Sequence, residues 1–341
     1  MRKFTVSMLT LALAASLFAG CGSKKDNKET KTETVAETKT EAEKTTEAKT
    51  EEEKTTEAKT EEEKTTEVTT EEEKTTEVKT EAEVQENAKV RVIDIALTDE
   101  QYAFGVDKKQ PELLEKANEF IAQIMDDGTF EEICNHYFGD GEPVAVKSAK
   151  LDDSKEQLVV ATNASFEPFE YMNGEDYYGI DMEIAQMFAD YLGQELVIQN
   201  MEFEAVCLSV GQQKCDIAMA GLTINEKRKE QVEFTDSYYN ASQKLIVAVD
   251  DTAFDDCKTA EDMEEIFNSF DKKTVIGVQN GTTGQFYVEG DEEWGFEGFD
   301  ATCTGYKNGS LAVQDLINGN INYVIIDAAP ASCIAEAVNS L

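Results

Sequence analysis

Hydrophobic positions are spaced very differently in the two parts of this chain. From residue 89 onward, short apolar runs of the strand type recur at 158–161, 196–198, 217–219, 245–249, 274–278 and 323–326. Stretches with apolar residues at helical spacing lie between several of them, as in 179–192, where Gly193 provides a stop signal. Strands that alternate with helices predict an α/β fold with parallel sheets covered on both faces, and about 250 residues suffice for two such sheets.

The first 21 residues have the pattern of a targeting segment. Arg2 and Lys3 precede an almost wholly apolar run that ends in Ala19, Gly20 and Cys21. The small residues before Cys21 resemble a bacterial lipobox, although Phe18 departs from the usual aliphatic residue. This resemblance implies acylation, for instance with palmitate, and a chain that is anchored to the cell membrane without spanning it. An ordinary signal peptide with a chance cysteine is the alternative.

Residues 22–88 form a repetitive acidic segment in which a decad of Glu, Lys and Thr recurs with small changes. The decad presents no hydrophobic face to a neighbouring copy, so a solenoid is excluded. Such a tract buries too little apolar surface to offset the entropy lost on ordering, and we expect a disordered tether. The folded domain is therefore predicted to occupy 89–341.

Composition excludes several kinds of function. The formal net charge is −40, with 31 basic against 71 acidic residues, which argues against nucleic acid as a partner. His136 is the single histidine, so a two-histidine zinc site cannot form, and no P-loop motif is present. The six cysteines after Cys21 have no Cys-x-x-Cys spacing, and the sequence does not settle whether they pair. We expect neither a metal nor a cofactor.

Five blocks carry a family resemblance, in an order that spans nearly 180 residues. They are 161–169 (ATNASFEPF), 179–185 (GIDMEIA), 216–228 (DIAMAGLTINEKR) with 232–239 (VEFTDSYY), 276–284 (IGVQNGTTG) and 323–330 (YVIIDAAP). Together they resemble the amino-acid-binding solute-binding proteins of bacterial ABC importers. The resemblance implies a two-lobed Venus-flytrap fold, in which each lobe is a sheet flanked by helices and the ligand lies between the lobes.

The order of segments suggests a circular permutation. Residues 90–94 look like the strand that should follow residue 330, and 97–106 look like the return crossover to the first lobe. A helix over 111–127 and a shorter one opened by a capping box at Thr129 and Glu132 follow. We expect lobe 1 at about 98–248 and lobe 2 at about 250–341 plus 89–97, with crossovers near 94–99 and 247–251. A degenerate tandem copy is the alternative.

The resemblance places the head group of an amino acid between two charged side chains. Arg228 offers a planar fork to the carboxylate, assisted by Thr223 and by Thr283 from the other lobe. Asp327 accepts the ammonium, with help from the carbonyl of Gly221. Alternatively, Arg228 is a surface helix residue and Asp327 only caps a helix.

Further positions are expected to surround the ligand side chain. Phe166 and Phe203 correspond to aromatic walls, or are plain core residues, and Gln279 and Thr282 line lobe 2. Asn163 stands where relatives that take basic amino acids commonly have an acid. Its neutral amide favours an uncharged polar ligand.

The predicted function is therefore capture of an amino acid on the extracytoplasmic face and its delivery to an ABC permease. We expect a monomer with no catalytic activity. Two alternatives remain: a sensory or surface module without transport, and a cyclohexadienyl-type dehydratase that uses Glu167 or Glu204 as an acid. No base is paired with either glutamate in the sequence.

Overall fold

The computed structural model describes residues 88–341, and the predicted signal segment, Cys21 and the repetitive tether lie outside the described residues. The helices of the described part are α1 Pro111–Asp126, α2 Thr129–Phe138, α3 Ile180–Leu192, α4 Phe203–Gly211, α5 Glu226–Lys229, α6 Ala260–Phe267, α7 Thr283–Glu289, α8 Gly309–Ile317 and α9 Ala328–Asn339. The strands are β1 Val90–Ile93, β2 Glu100–Tyr102, β3 Gly105–Val106, β4 Gln157–Thr162, β5 Ser165–Phe166, β6 Glu170–Asn173, β7 Asp176–Tyr178, β8 Glu195–Asn200, β9 Ile217–Ala218, β10 Glu233–Phe234, β11 Tyr239–Ala241, β12 Gln243–Ala248, β13 Val275–Gln279, β14 Thr302–Tyr306 and β15 Tyr323–Asp327.

Lobe 1 is built on a five-stranded sheet with the order β10-β3-β9-β4-β8. The apolar strand β4 lies near its centre and runs parallel to both β8 and β9. Strands β3 and β10 join antiparallel to this parallel part. The amphipathic α1 buries Ala117, Phe120, Ile121 and Ile124, as its spacing of apolar residues requires.

Lobe 2 contains the second five-stranded sheet, with the order β1-β12-β15-β13-β14. Strand β13 is parallel to β14 and β15, whereas β12 is antiparallel to both β1 and β15. A cluster of apolar residues around Phe254, Met263 and Phe267 packs on this sheet. Lobe 2 therefore has an apolar core of its own.

A two-stranded ladder joins the lobes. Strand β2 pairs with β11, so that Tyr102 is opposite Tyr239 and Glu100 is opposite Ala241. The chain enters lobe 1 through β2 and leaves it through β11. We call this pair of strands the crossover ladder.

The predicted α/β fold of two lobes, each with a sheet flanked by helices, is confirmed, but three details differ. Both sheets are mixed and not purely parallel, because the crossover brings antiparallel strands to each. Strand β12 belongs to lobe 2, so assigning 243–248 to lobe 1 was wrong, and the second crossover lies near β11 and not at 247–251. The capping box was also wrong, because the N-cap residue is Gly128, which has no side chain to accept a capping hydrogen bond.

In the described range, no helix has the length and apolar character needed to cross a membrane.

Candidate functional site

Arg228 lies in the short helix α5, at the face of lobe 1 that meets lobe 2. Asn225 caps this helix by accepting a hydrogen bond of 2.7 Å from the Arg228 backbone N–H. The guanidinium donates to the Thr223 carbonyl at 2.6 Å and, across the crevice, to the Gly281 carbonyl at 3.1 Å. It also lies over the ring of Phe203, 5.1 Å from its centre.

The charge of Arg228 lacks a counter-charge. The residue is only 9% exposed, and it takes part in none of the ion pairs of residues 88–341. Two carbonyl oxygens accept hydrogen bonds from the guanidinium, which has five N–H donors. These carbonyl groups are dipoles and do not neutralise its positive charge. A buried guanidinium without an anion is costly unless a ligand supplies one.

Asp327 is the corresponding buried charge of lobe 2. It ends strand β15 at the start of α9, is 5% exposed, and accepts a hydrogen bond of 2.5 Å from the Tyr102 hydroxyl. No lysine or arginine pairs with it in the described part of the chain. Burial, followed by the charge of Glu100, raises the pKa of Asp327 to about 7, although the Tyr102 hydrogen bond opposes this rise.

A hydrogen-bonded network connects the two charges. The hydroxyl of Thr223, whose carbonyl holds Arg228, donates to Glu100 at 2.8 Å. Glu100 also accepts from Gln243 at 2.9 Å. Gln243 is the direct cross-strand partner of Asp327, so Arg228 and Asp327 border one buried polar region at the crossover ladder.

The position of Gly221 requires glycine for two reasons. Its φ is +52°, a conformation that side chains disfavour, and a Cβ atom there would lie 2.8 Å from the ring of Phe166. Its N–H donates to the carboxylate of Asp181 at 2.9 Å. The turn that carries Thr223 and leads to Arg228 is fixed in this way.

Lobe 2 contributes polar atoms that have no partner. The hydroxyl of Thr283, at the start of α7, and the amide oxygen of Gln279, at the end of β13, are buried without a hydrogen bond. Thr282 donates its hydroxyl to the Gln279 carbonyl at 2.8 Å. Buried polar groups are normally satisfied, so orphan atoms at an interlobe face indicate a place for a polar ligand.

Asn163 and Gln279 connect the lobes directly. The Gln279 amide N–H donates to the Asn163 side-chain oxygen at 3.3 Å. Asn163 in turn donates to the carbonyl of Met201 at 2.7 Å. Both residues are buried, and the two amides form a neutral polar contact across the crevice.

The two predicted aromatic walls line different cavities. Phe203 and Arg228 border an interlobe cavity of about 470 Å³ that also contacts Gly281 and Glu204. Phe166 borders another of about 250 Å³, together with Pro330 of lobe 2 and its neighbours. The structure thus brings Phe203 to Arg228 and does not place the two rings around one cavity.

The glutamates considered for catalysis lie apart from each other. Glu167 is exposed at the smaller cavity, where burial of part of the side chain and the charge of Glu336 raise its pKa. Glu204 lines the larger cavity. His136 contacts Glu183 elsewhere, at 3.0 Å, and no cluster suited to a metal ion occurs in residues 88–341.

Sequence reasoning did not predict five buried polar residues in and near the crossover ladder. These are Glu100, Tyr102 and Gln243 in the ladder region, and Glu170 and Asp181 in lobe 1. A signal existed for Glu170, which directly follows the block at 161–169, and for Asp181, which lies within the block at 179–185. Both acids lie beside or within blocks that carry the family resemblance.

Two lobes joined by paired crossover strands, each with a buried charge that forms no ion pair in residues 88–341, define a bilobed binding protein. Residues 158–324 match the family model of bacterial extracellular solute-binding proteins, family 3. This part of the chain is similar to that family.

Individual relatives agree with the family match. The chain is 30% identical over 131 residues to the "Arginine-binding extracellular protein ArtP" of Bacillus subtilis, which covers 38% of this chain and 47% of that protein. It is 26% identical over 178 residues to the "Histidine-binding periplasmic protein" of Escherichia coli, covering 52% and 63%. The chain therefore spans between about half and under two thirds of the length of these relatives.

The chain is also similar to several solved structures. "An ancestral arginine-binding protein bound to glutamine" is 29% identical with a TM-score of 0.44, over 54% of this chain and 74% of that one. The "ancestral amino acid-binding protein AncCDT-1, a precursor of cyclohexadienyl dehydratase" is 27% identical with a TM-score of 0.46, over 54% and 75%.

Proposed function

We propose that the crevice captures one amino acid between Arg228 and Asp327. The observation that carries this proposal is the pair of buried, opposite and uncompensated charges, one from each lobe. Buried charges need ionic partners with good geometry. A zwitterion supplies both at once, with its carboxylate at Arg228 and Thr283 and its ammonium at Asp327.

The ligand side chain is proposed to be polar and uncharged. The amides of Asn163 and Gln279 meet across the crevice, and neither forms a hydrogen bond to a charged side chain. The orphan oxygen of Gln279 can accept a hydrogen bond from a ligand amide or hydroxyl. An acid at residue 163 would instead favour a cationic ligand, because opposite charges attract strongly where water is excluded.

Binding is proposed to hold the lobes closed. Contacts across the crevice include Arg228 with Gly281 and Gln279 with Asn163, while the crossover ladder is the covalent connection between the lobes. A ligand stabilises the closed state because only there do both charges act on it. This clamp does not require a bond to be broken.

The cellular role is proposed to be delivery of the amino acid to an ABC permease. The matched relatives are named as extracellular or periplasmic binding proteins for amino acids, which supports an extracytoplasmic site of action. We propose that Cys21 carries the lipid anchor and that 22–88 tether a monomeric domain to the membrane.

Circular permutation of the domain is also proposed. Strand β1 completes the sheet of lobe 2, although it precedes lobe 1 in the chain. Its neighbour Lys89 donates to the side chain of Asn339 at 2.8 Å, so the two ends of the domain are adjacent. A rearranged chain that starts at Gln157, joins residue 341 to 89 and ends at Gly139 should fold and bind as this one does; failure to fold would contradict the permutation.

A thermal-shift screen of the twenty amino acids on the purified protein tests the function. A ligand that binds only the native state at 100 times its Kd contributes about 2.7 kcal/mol, which raises the melting temperature. We expect a shift with one or a few polar, uncharged amino acids. A shift only with arginine or lysine would contradict the proposed ligand class, and no shift with any of the twenty would contradict the function.

A further inference from the structure

Glu170 is a buried acid without a partner. It begins strand β6, is fully buried, and neither of its carboxyl oxygens accepts a hydrogen bond. The charges that raise its pKa, besides burial, are those of two other acids, Asp181 and Asp327. A carboxylate without donors is unstable in such surroundings, so Glu170 is held in its neutral, protonated form.

Asp181 and Asp327 act on Glu170 through their charges, Glu100 acts on Asp327, and each of these three buried acids receives hydrogen bonds. Asp181 accepts from the Gly221 N–H and, at 2.6 Å, from the Tyr238 hydroxyl. Glu100 accepts from Thr98, Thr223 and Gln243. Asp327 accepts from Tyr102. The hydrogen bonds to Asp181 and Asp327 oppose the rise in pKa, to about 7 for each, that burial gives these two acids, whereas Glu170 receives no such bond.

No basic side chain balances this group of four acids. None of the ion pairs in residues 88–341 involves Glu100, Glu170, Asp181 or Asp327. The groups that face Asp327 are Tyr102 and Glu100 from β2, Gln243 from β12 and Glu170 from β6. In the empty crevice, protons are therefore the positive charge available to Asp327.

We propose that the ammonium of the amino acid displaces a proton held by Asp327, and that Tyr102 is the positioning residue that keeps Asp327 ready to receive it. This inference rests on the proposed function. The displaced proton passes to solvent, and no covalent bond changes. Capture is then coupled to the release of one proton, a property of the crevice beyond the recognition of a zwitterion.

The direction of the pH dependence follows from the acids. Burial raises the pKa of Asp327 to about 7 and that of Glu170 well above its ordinary value. Below pH 7, Asp327 in the empty crevice is protonated, and an ammonium must compete with that proton. Affinity should fall by up to about tenfold for each pH unit below the midpoint and level off above it.

Calorimetric titration tests the proton count without any variant. The titrant is L-glutamine or, should the thermal-shift screen favour another of the twenty, that amino acid. At pH 6, heats of binding are compared in phosphate and in imidazole, two buffers with different enthalpies of ionisation. We expect a difference that corresponds to nearly one proton released at pH 6 and little at pH 8. Equal heats in both buffers at pH 6 would overturn the proposal.

Replacing Tyr102 by Phe tests the positioning role. Loss of the hydroxyl donor destabilises the ionised form of Asp327, so the midpoint of affinity against pH should move upward. Tyr306→Phe is the matched control, because the Tyr306 hydroxyl donates to Asp315 at 2.7 Å on the surface of lobe 2. An unmoved midpoint in folded Tyr102→Phe would exclude this role for Tyr102.

The outcomes separate the two proposals. If no amino acid binds at any pH between 5.5 and 8, the proposed function fails. If an amino acid binds with a Kd that is constant over this range and with equal heats in both buffers, only the coupling to protons fails.

Discussion

The core of lobe 2 and the crevice between the lobes satisfy opposite requirements. The core around Phe254 and Phe267 is apolar and close-packed, and it needs nothing from outside the chain. The crevice contains a buried cation, a buried acid and unpartnered hydroxyl and amide oxygens. The core therefore stabilises the fold. The unpaired charges of the crevice lower the stability of the ligand-free protein, and a bound ligand can restore it.

The largest effect is expected from a cavity in the core. Phe267 is fully buried at the end of α6, with rings of Phe254, Phe270 and Phe299 around it. Phe267→Ala should lower the free energy of unfolding by about 3 to 5 kcal/mol. Because the cavity lies away from the crevice, the Kd for the amino acid should change less than threefold.

Denaturant unfolding and calorimetric titration of the same preparation check this prediction. Leu311→Ala is the control, because Leu311 is 48% exposed in the same lobe and should cost less than about 0.5 kcal/mol. A large loss of affinity in folded Phe267→Ala would show that core and crevice are not independent.

Asp327→Asn should weaken binding without lowering the stability of the empty protein. Loss of the ionic partner of the ammonium should weaken binding by about 2 to 5 kcal/mol, which is about 30-fold or more. The pKa of Asp327 is raised in the folded protein, so its ionisation destabilises the empty fold as pH rises from about 4 to about 7. The variant removes this penalty, and its melting temperature without ligand at pH 8 should equal or exceed that of the unchanged protein.

Thermal unfolding without ligand measures the stability of the variant, and calorimetric titration measures its Kd for the amino acid. Asp315→Asn is the control, since Asp315 accepts hydrogen bonds from Tyr306 and Asn320 outside the crevice. A variant that binds normally would contradict the role of Asp327 in holding the ammonium.

The same contrast explains what could be predicted from sequence. Apolar spacing is a local property, so strands such as β4 and β13 and helices such as α1 and α3 were found within about two residues of their bounds. Strand β12 was found but assigned to the wrong lobe. Its sheet is decided by pairing with β1 and β15, which lie far away in the chain.

Arg228 and Asp327 were predicted because each lies within a recognisable block of sequence. Glu100 and Tyr102 were not, because a strand of three residues has too short a pattern, and its meaning comes from pairing with β11. The lack of a hydrogen-bond donor for Glu170 could not be predicted from the sequence either. Whether a buried acid meets a donor depends on tertiary packing and not on its neighbours in sequence.

A smaller effect is expected when Asn163 is replaced by Asp. The new charge would lie in a buried place beside Gln279, where opposite charges attract more strongly than in water. Affinity for arginine or lysine relative to that for glutamine should rise at least tenfold. Competitive titration with the three amino acids gives the ratio, and Asn200→Asp, at an exposed position of β8, is the control. An unchanged ratio would remove residue 163 from the determinants of specificity.

The smallest effect concerns the exposed rim of the crevice. Lys227 of lobe 1 pairs with Asp291 of lobe 2 and lies over the ring of Phe286, 4.7 Å from its centre. Such a pair exists only while the lobes are closed, so Lys227→Ala should weaken binding by closing the lobes less readily. Ion pairs with a partner as exposed as Lys227 contribute little, and salt screens them, so we expect at most a fivefold rise in Kd that fades at high ionic strength. Lys155→Ala, which removes an ion pair within lobe 1, should leave the Kd unchanged. A loss that persists in high salt would mean that the ring contact, and not the ion pair, holds the rim together.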